Sequence, residues 1–91
     1  MNKSELINII AQKANLSKRN SDQFVNLMVD AMISGMSNEE RIEIRGFGSF
    51  VIRKYPAYKG RNPKTGEIIT VKEKRLPFFK AGKDLIMRVN S

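Results

Sequence analysis

The side chains with chemistry to offer in this sequence are cations. Arg53, Lys54, Lys59, Arg61, Lys64, Lys72, Lys74 and Arg75 fall in one stretch, and Lys80 and Lys83 follow it closely. In an extended strand, every second residue lies about 6–7 Å further along and points the same way. Cations at that spacing suit a row of phosphates. The same alternation sends neighbours to opposite faces, so only part of the set can meet one ligand and the rest form a solvated face. Catalysis has no footing here. The chain has no His and no Cys, so the usual general bases, nucleophiles and zinc ligands are missing. Ser34, Ser37 and Ser49 stand beside no activating residue, and the acids are scattered. Gly46-Phe47-Gly48 is too short for a nucleotide fingerprint. The expectation is a binding protein, not an enzyme, with no cofactor, no metal and no small-molecule substrate.

The charge distribution sharpens this. The 91 residues carry 17 Lys and Arg against 9 Asp and Glu, a net +8. Residues 1–50 hold six basic and six acidic side chains, whereas residues 51–91 hold eleven basic and three acidic. A neutral half joined to a basic half reads as a folding platform carrying a polyanion-binding surface. The length suits a single domain, residues 1–91. So small a fold needs help from disulfides, metals or a partner chain, and only the last is left by this composition. No apolar run is long enough to cross a bilayer, and none follows Met1-Asn2-Lys3-Ser4-Glu5 as a signal peptide requires. The chain is expected to stay in the cytoplasm.

The elements that would position the cations can be read from periodicity. Asn2 and Glu5 have the spacing of a helix-capping pair, and Leu6, Ile7, Ile9, Ile10 and Ala14 recur at helical spacing after them. Asn15 suits a helix stop, and Ser17 a new N-cap. Phe24, Leu27, Met28, Ala31 and Met32 then mark a longer second helix whose apolar stripe is expected in the core. A Met-rich stripe of this kind also suits a subunit interface. From Arg41 to Arg45 the period becomes two, which predicts a strand, a turn at Gly46-Phe47-Gly48 and a second strand with Phe50 and Ile52 on one face. This hairpin is expected to pack its apolar face on the helices. Residues 53–75 have few large aliphatics and two Pro-marked turns, so they read as a long two-stranded ribbon of about 25–30 Å with Pro63 near its tip. Such a ribbon lacks its own core and should be mobile until it binds. Leu76-Pro77-Phe78-Phe79-Lys80 returns to the platform, and residues 84–89 form a short last helix.

Three blocks resemble the HU/IHF family of bacterial histone-like DNA-bending proteins. They are Arg45-Gly46-Phe47-Gly48-Ser49-Phe50, Gly60-Arg61-Asn62-Pro63-Lys64-Thr65-Gly66-Glu67 and Pro77-Phe78-Phe79-Lys80-Ala81-Gly82-Lys83. The similarity runs without gaps from Met1 to Asn90, and the middle block is the most specific. The resemblance implies an α+β fold with two N-terminal helices, a three-stranded antiparallel sheet extended by a long β-ribbon arm, and a short C-terminal helix. It implies an intertwined dimer, with homodimers favoured and heterodimers open, that bends double-stranded DNA in the nucleoid. Each arm would follow the minor groove, with Pro63 as a wedge between base steps. Proline suits that task because it is rigid and apolar and buries no N–H. Arg61 and Asn62 beside it can donate to minor-groove acceptors, which A·T and T·A share, so sequence selectivity should be low. Lys3, Lys80 and Lys83 match body positions that meet phosphates, and Arg53, Lys59, Lys64, Lys72 and Arg75 would do so along the arm. Phe47, Phe50 and Phe79 are assigned to the dimer core; Phe78 is left open.

The arm departs from the family at Tyr55 and Tyr58, where basic or polar residues are usual. A tyrosine hydroxyl can still reach a phosphate oxygen but brings no charge. The two rings could instead stiffen the base of the arm. Two further readings stay open. One is a site-specific subunit of the IHF kind within a heterodimer. The other is an RNA- or ribosome-associated basic protein, which competition between duplex DNA and A-form RNA would separate. A membrane-surface role ranks lower, since no helix joins a basic face to a strongly apolar one.

Overall fold

The computed structural model describes all residues, 1–91. The elements run α1 (Lys3–Lys13), α2 (Lys18–Ser37), β1 (Ile42–Ile44), β2 (Gly48–Tyr55), β3 (Tyr58–Arg61), β4 (Ile68–Val71), β5 (Lys74–Ala81) and α3 (Lys83–Val89). This is the expected α+β class. The chain forms two units, one of residues Met1–Gly35 and one of residues Met36–Ser91.

In the first unit, capping side chains set the helix limits. Asn2 Oδ1 accepts from the Glu5 N–H at 2.8 Å and so starts α1. The helix ends where Asn15 turns left-handed, at φ 54. Leu16 N–H then bonds the Ala11 carbonyl at 2.9 Å and Asn15 N–H the Gln12 carbonyl at 3.4 Å, the paired bonds of a Schellman end. Ser17 Oγ accepts from the Asn20 N–H at 3.1 Å and opens α2. Ile7 and Val25 are the buried apolar residues of this unit. Beside them Ser21, itself buried, donates its hydroxyl to the Ile7 carbonyl at 2.7 Å. The stripe expected in the core behaves differently: Phe24 is 52% exposed and Leu27 70% exposed. Within one chain, α2 buries the face carrying Ser21 and Val25 and leaves the Phe24–Leu27–Met28 face unpartnered.

In the second unit, β1, β2 and β5 form an antiparallel sheet in that order, and β3 pairs with β4 in a separate two-stranded ladder. The Gly46-Phe47 turn closes the first hairpin, with Phe47 N–H bonded to the Ile44 carbonyl at 2.9 Å. The chain then leaves the sheet as a ribbon. Tyr55 pairs with Lys74, and Tyr58 pairs with Val71. Between these pairs each strand skips two residues, Pro56-Ala57 on one side and Lys72-Glu73 on the other, so the register carries across the gap without a bulge. Pro56 has no N–H to give a ladder and is a physical reason for the break. Pro77 is tolerated inside β5 because that strand lies at the sheet edge. The expected single ribbon is thus two short ladders in one register.

Gly48 shows how closely β2 and β5 pack. A Cβ there would lie 2.5 Å from the Lys80 carbonyl oxygen and 2.7 Å from the Phe79 ring. Backbone cannot yield as a flexible side chain can. Gly48→Ala is therefore expected to destabilise the fold by about 1–3 kcal/mol, the usual cost of overpacking. A lower urea midpoint at unchanged slope would show it.

Candidate nucleic-acid interface

Register assigns every ribbon residue to a face. In the β2–β5 ladder, Ser49, Val51, Arg53 and Tyr55 share one face with Lys80, Phe78, Leu76 and Lys74. In the β3–β4 ladder, Lys59 and Arg61 share a face with Thr70 and Ile68. The other face of the first ladder carries Phe50, Ile52 and Lys54 opposite Phe79, Pro77 and Arg75. The other face of the second carries Tyr58 and Gly60 opposite Val71 and Ile69. The cations are therefore sorted. Arg53, Lys59, Arg61, Lys74 and Lys80 lie on the first-named faces, and only Lys54 and Arg75 lie on the others.

Those two are held by one acid. Glu39 Oε2 pairs with Lys54 Nζ at 2.9 Å, and Glu39 Oε1 pairs with Arg75 Nη1 at 3.2 Å. Arg75 Nη1 also donates to the Ser37 carbonyl at 3.2 Å. The hydrogen bond from Lys54, joined by that from Arg75, holds the Glu39 carboxyl below the usual glutamate range. Arg75, expected among the phosphate ligands, is thus placed on the opposite face and engaged with Glu39. Arg53 is on the basic face, and its guanidinium carbon lies 3.5 Å from the centroid of the Phe78 ring. That stacking gives Phe78 a role the sequence left open: it supports Arg53 through a cation–π contact.

The tip is built by Asn62. Its N–H donates to the Glu67 carbonyl at 2.8 Å, its carbonyl accepts from the Gly66 N–H at 2.7 Å, and its Oδ1 accepts from the Lys64 N–H at 2.9 Å. Gly66 closes the loop at φ 73, a conformation other residues enter only at a steric cost. Pro63, Lys64 and Thr65 form the exposed turn within this frame. Asn62 therefore spends its side-chain oxygen on the turn and keeps its NH2 as the donor group.

Tyr58 packs locally. A Cβ at Gly60 would stand 3.6 Å from Tyr58 Cε2 and 3.9 Å from Ile69 Cγ1, so the ring and the isoleucine cover the glycine together. Tyr55 lies on the basic face opposite Lys74. The two rings are on different faces and do not form a pair.

Elsewhere, the structure brings Lys3 together with Lys18 and Arg19 around a hollow in the helical unit, with Asp22 as its acid. Lys80 shares a second hollow with Arg41 and Arg45. Arg41 and Arg45 add to the cations that the sequence points to. Their signal was the strict alternation from Arg41 to Arg45, which puts Arg41, Glu43 and Arg45 opposite Ile42 and Ile44. Lys72 falls in the break between ladders, and Lys83 is the exposed first residue of α3. Phe79 contacts both other phenylalanines assigned to the dimer core, with ring centroids 5.3 Å from Phe47 and 4.8 Å from Phe50. Phe47 remains 42% and Phe79 38% exposed. No group of His, Cys, Asp or Glu able to hold a metal is present, and no helix is long and apolar enough to cross a membrane.

Known proteins are similar to this chain in sequence and in fold. The family model described as bacterial DNA-binding protein matches residues 1–90. Integration host factor subunit beta of Cupriavidus metallidurans is 50% identical over 91 residues, covering 99% of this chain and 67% of that protein. The HU of the Anabaena HU–DNA cocrystal structure is 37% identical, with a TM-score of 0.83 over 98% of this chain and 97% of that one. HU from Thermotoga maritima is 27% identical, with a TM-score of 0.68 over 98% of each chain. With a β-ribbon that carries most of its strand cations on its basic faces and turns at Pro63, the chain belongs to the HU/IHF family of bacterial DNA-binding proteins, which are architectural and not enzymes.

Proposed function

We propose that this chain acts in a dimer that bends duplex DNA with little sequence selectivity and organises the nucleoid in the cytoplasm. One observation carries the reading: Arg53, Lys59, Arg61, Lys74 and Lys80 share the ribbon's basic faces, and the ribbon ends in the exposed turn at Pro63. From Arg53 to Arg61 such a strand covers about 26 Å, long enough to follow a groove past several phosphates. Lys64 and Lys72 add charge at the tip and in the break. Tyr55 offers a hydroxyl on the basic face, and Tyr58 stiffens the arm more than it grips. Lys3, Lys80 and Lys83 receive the DNA at the body. At the tip, Pro63 enters between base steps, and Arg61 and the Asn62 NH2 donate to groove acceptors. Unstacking costs a few kcal/mol per step and is offset by contacts to the bent duplex.

The exposed apolar residues support the dimer. Phe24, Leu27, Phe47 and Phe79 together are too much apolar surface for a chain whose buried apolar side chains are Ile7 and Val25. A second copy covering the Phe47–Phe50–Phe79 cluster would turn it into a core.

The test is a plot of log K against log salt on random duplex. It should be linear, and Lys59→Ala and Arg61→Ala should each flatten the slope by roughly 0.9. Binding indifferent to salt would end the phosphate model. A second reading is favoured by the 50% identity to an integration host factor beta subunit: a site-specific half of a heterodimer. It requires one defined site to be bound about a thousandfold above random DNA. A purified chain that is a stable homodimer removes its obligate form.

A further inference from the structure

Glu39 stands out on backbone grounds first. It is a non-glycine residue in the left-handed region, at φ 63, just beyond the end of α2. Glycine or asparagine fits such a position far better than glutamate. What glutamate brings is its carboxylate. Lys54 and Arg75 are direct register partners across β2 and β5, and each takes one of its two oxygens. The bridged pair lies one step before Tyr55–Lys74, the last pair ahead of the break at Pro56-Ala57 and Lys72-Glu73. One carboxylate thus ties both strands where the ribbon leaves the sheet. It also engages the only two strand cations that do not lie on the basic faces, one oxygen to each, and halves their combined charge.

We propose that Glu39 is a positioning residue for DNA wrapping: it clips the ribbon's two strands at their root and withholds Lys54 and Arg75 from phosphate, so that DNA is received on the basic face alone. With the root fixed, the arm bends at the two-residue break, where neither strand has ladder bonds, and not at the sheet. Phosphates arriving on the basic face meet Arg53, Lys59, Arg61 and Lys74. On the opposite face both root cations are already bonded to Glu39 and their net charge is cut from two to one, so the basic face is the stronger side for the duplex to lie on. The withholding rests on the DNA-binding reading above; the clip itself does not.

The test uses the full chain with Glu39→Gly, backed by Glu39→Gln. Glycine removes the carboxylate and fits the left-handed backbone, so folding should not suffer; glutamine keeps the side-chain bulk and removes the charge. In the protein without DNA, amides of residues 52–55 and 74–76 should exchange roughly two- to five-fold faster in both variants, with the thermal midpoint of Glu39→Gly no lower. Unchanged exchange there overturns the clip. On random duplex, both variants should show a steeper salt slope, by up to about 1.8 per chain if both released cations find phosphates at ~0.9 each. An unchanged slope in both overturns the withholding. A wild-type chain that fails to bind duplex DNA refutes the DNA reading instead, and leaves the exchange result to decide the clip.

Discussion

Phe79→Ala should abolish the folded dimer at ordinary protein concentrations. Phe79 is the ring that joins the cluster, 5.3 Å from Phe47 and 4.8 Å from Phe50. It also lies against Gly48, where an added Cβ would stand 2.7 Å from the ring. Phe79 is 38% exposed in the single chain, so the full cost of truncating a buried phenylalanine, about 3–5 kcal/mol, applies once a second chain covers it, against a total stability of only about 5–15 for a small domain. In a symmetric homodimer the loss would be felt twice, because such a dimer uses the same surface on both chains. In the wild type, the thermal midpoint should rise with protein concentration, as for any chain that folds on association. Phe79→Ala should show a collapsed midpoint or no cooperative transition. If the variant melts like the wild type, and neither depends on concentration, the aromatic cluster is not a subunit interface.

Pro63→Ala should lower the bend angle markedly while leaving most of the affinity. The turn that carries Pro63 is held by the Asn62 bonds to Lys64, Gly66 and Glu67. None of these uses the Pro63 side chain, so alanine leaves the tip frame in place. What it removes is a rigid, apolar ring able to replace lost base stacking. Architectural minor-groove proteins kink the duplex by about 20–90° with such wedges. Affinity comes mainly from phosphate contacts, which the substitution does not touch. Fluorescence transfer between the ends of a short duplex reads the angle, and a binding titration on the same DNA reads the affinity. An unchanged angle would sink the wedge. A large affinity loss at constant angle would make Pro63 a groove contact and nothing more. Deformable or nicked duplexes should narrow the gap between variant and wild type, since they need less unstacking.

Much of this was legible in local sequence. Caps at Asn2 and Ser17, the stop at Asn15 and the period change after Arg41 all act within a few residues, and each is where local chemistry puts it. The ribbon was legible for the same reason, and so was the tip motif. Less legible was the identity of the buried face of α2. The apolar stripe Phe24–Leu27–Met28 says only that something should cover it, not whether the cover comes from the same chain. The role of Tyr58 was also undecided, because covering Gly60 depends on Ile69 arriving from the facing strand.

What the sequence by itself determined is the class of fold, the +8 charge with its excess after residue 50, and the Pro63 turn as the distinctive part. These depend on composition, short-range periodicity and turn chemistry. Only the tertiary structure decided which cations face together. Strand alternation makes neighbours such as Arg53 and Lys54 opposites, and the register of β2 with β5 then joins Lys54 to Arg75 and brings both to Glu39. Arg75 and Arg61 look alike as basic ribbon residues. They differ because one meets a carboxylate that lies 36 residues away in sequence, and pairing across such a distance is set by the register of the sheet and by nothing local.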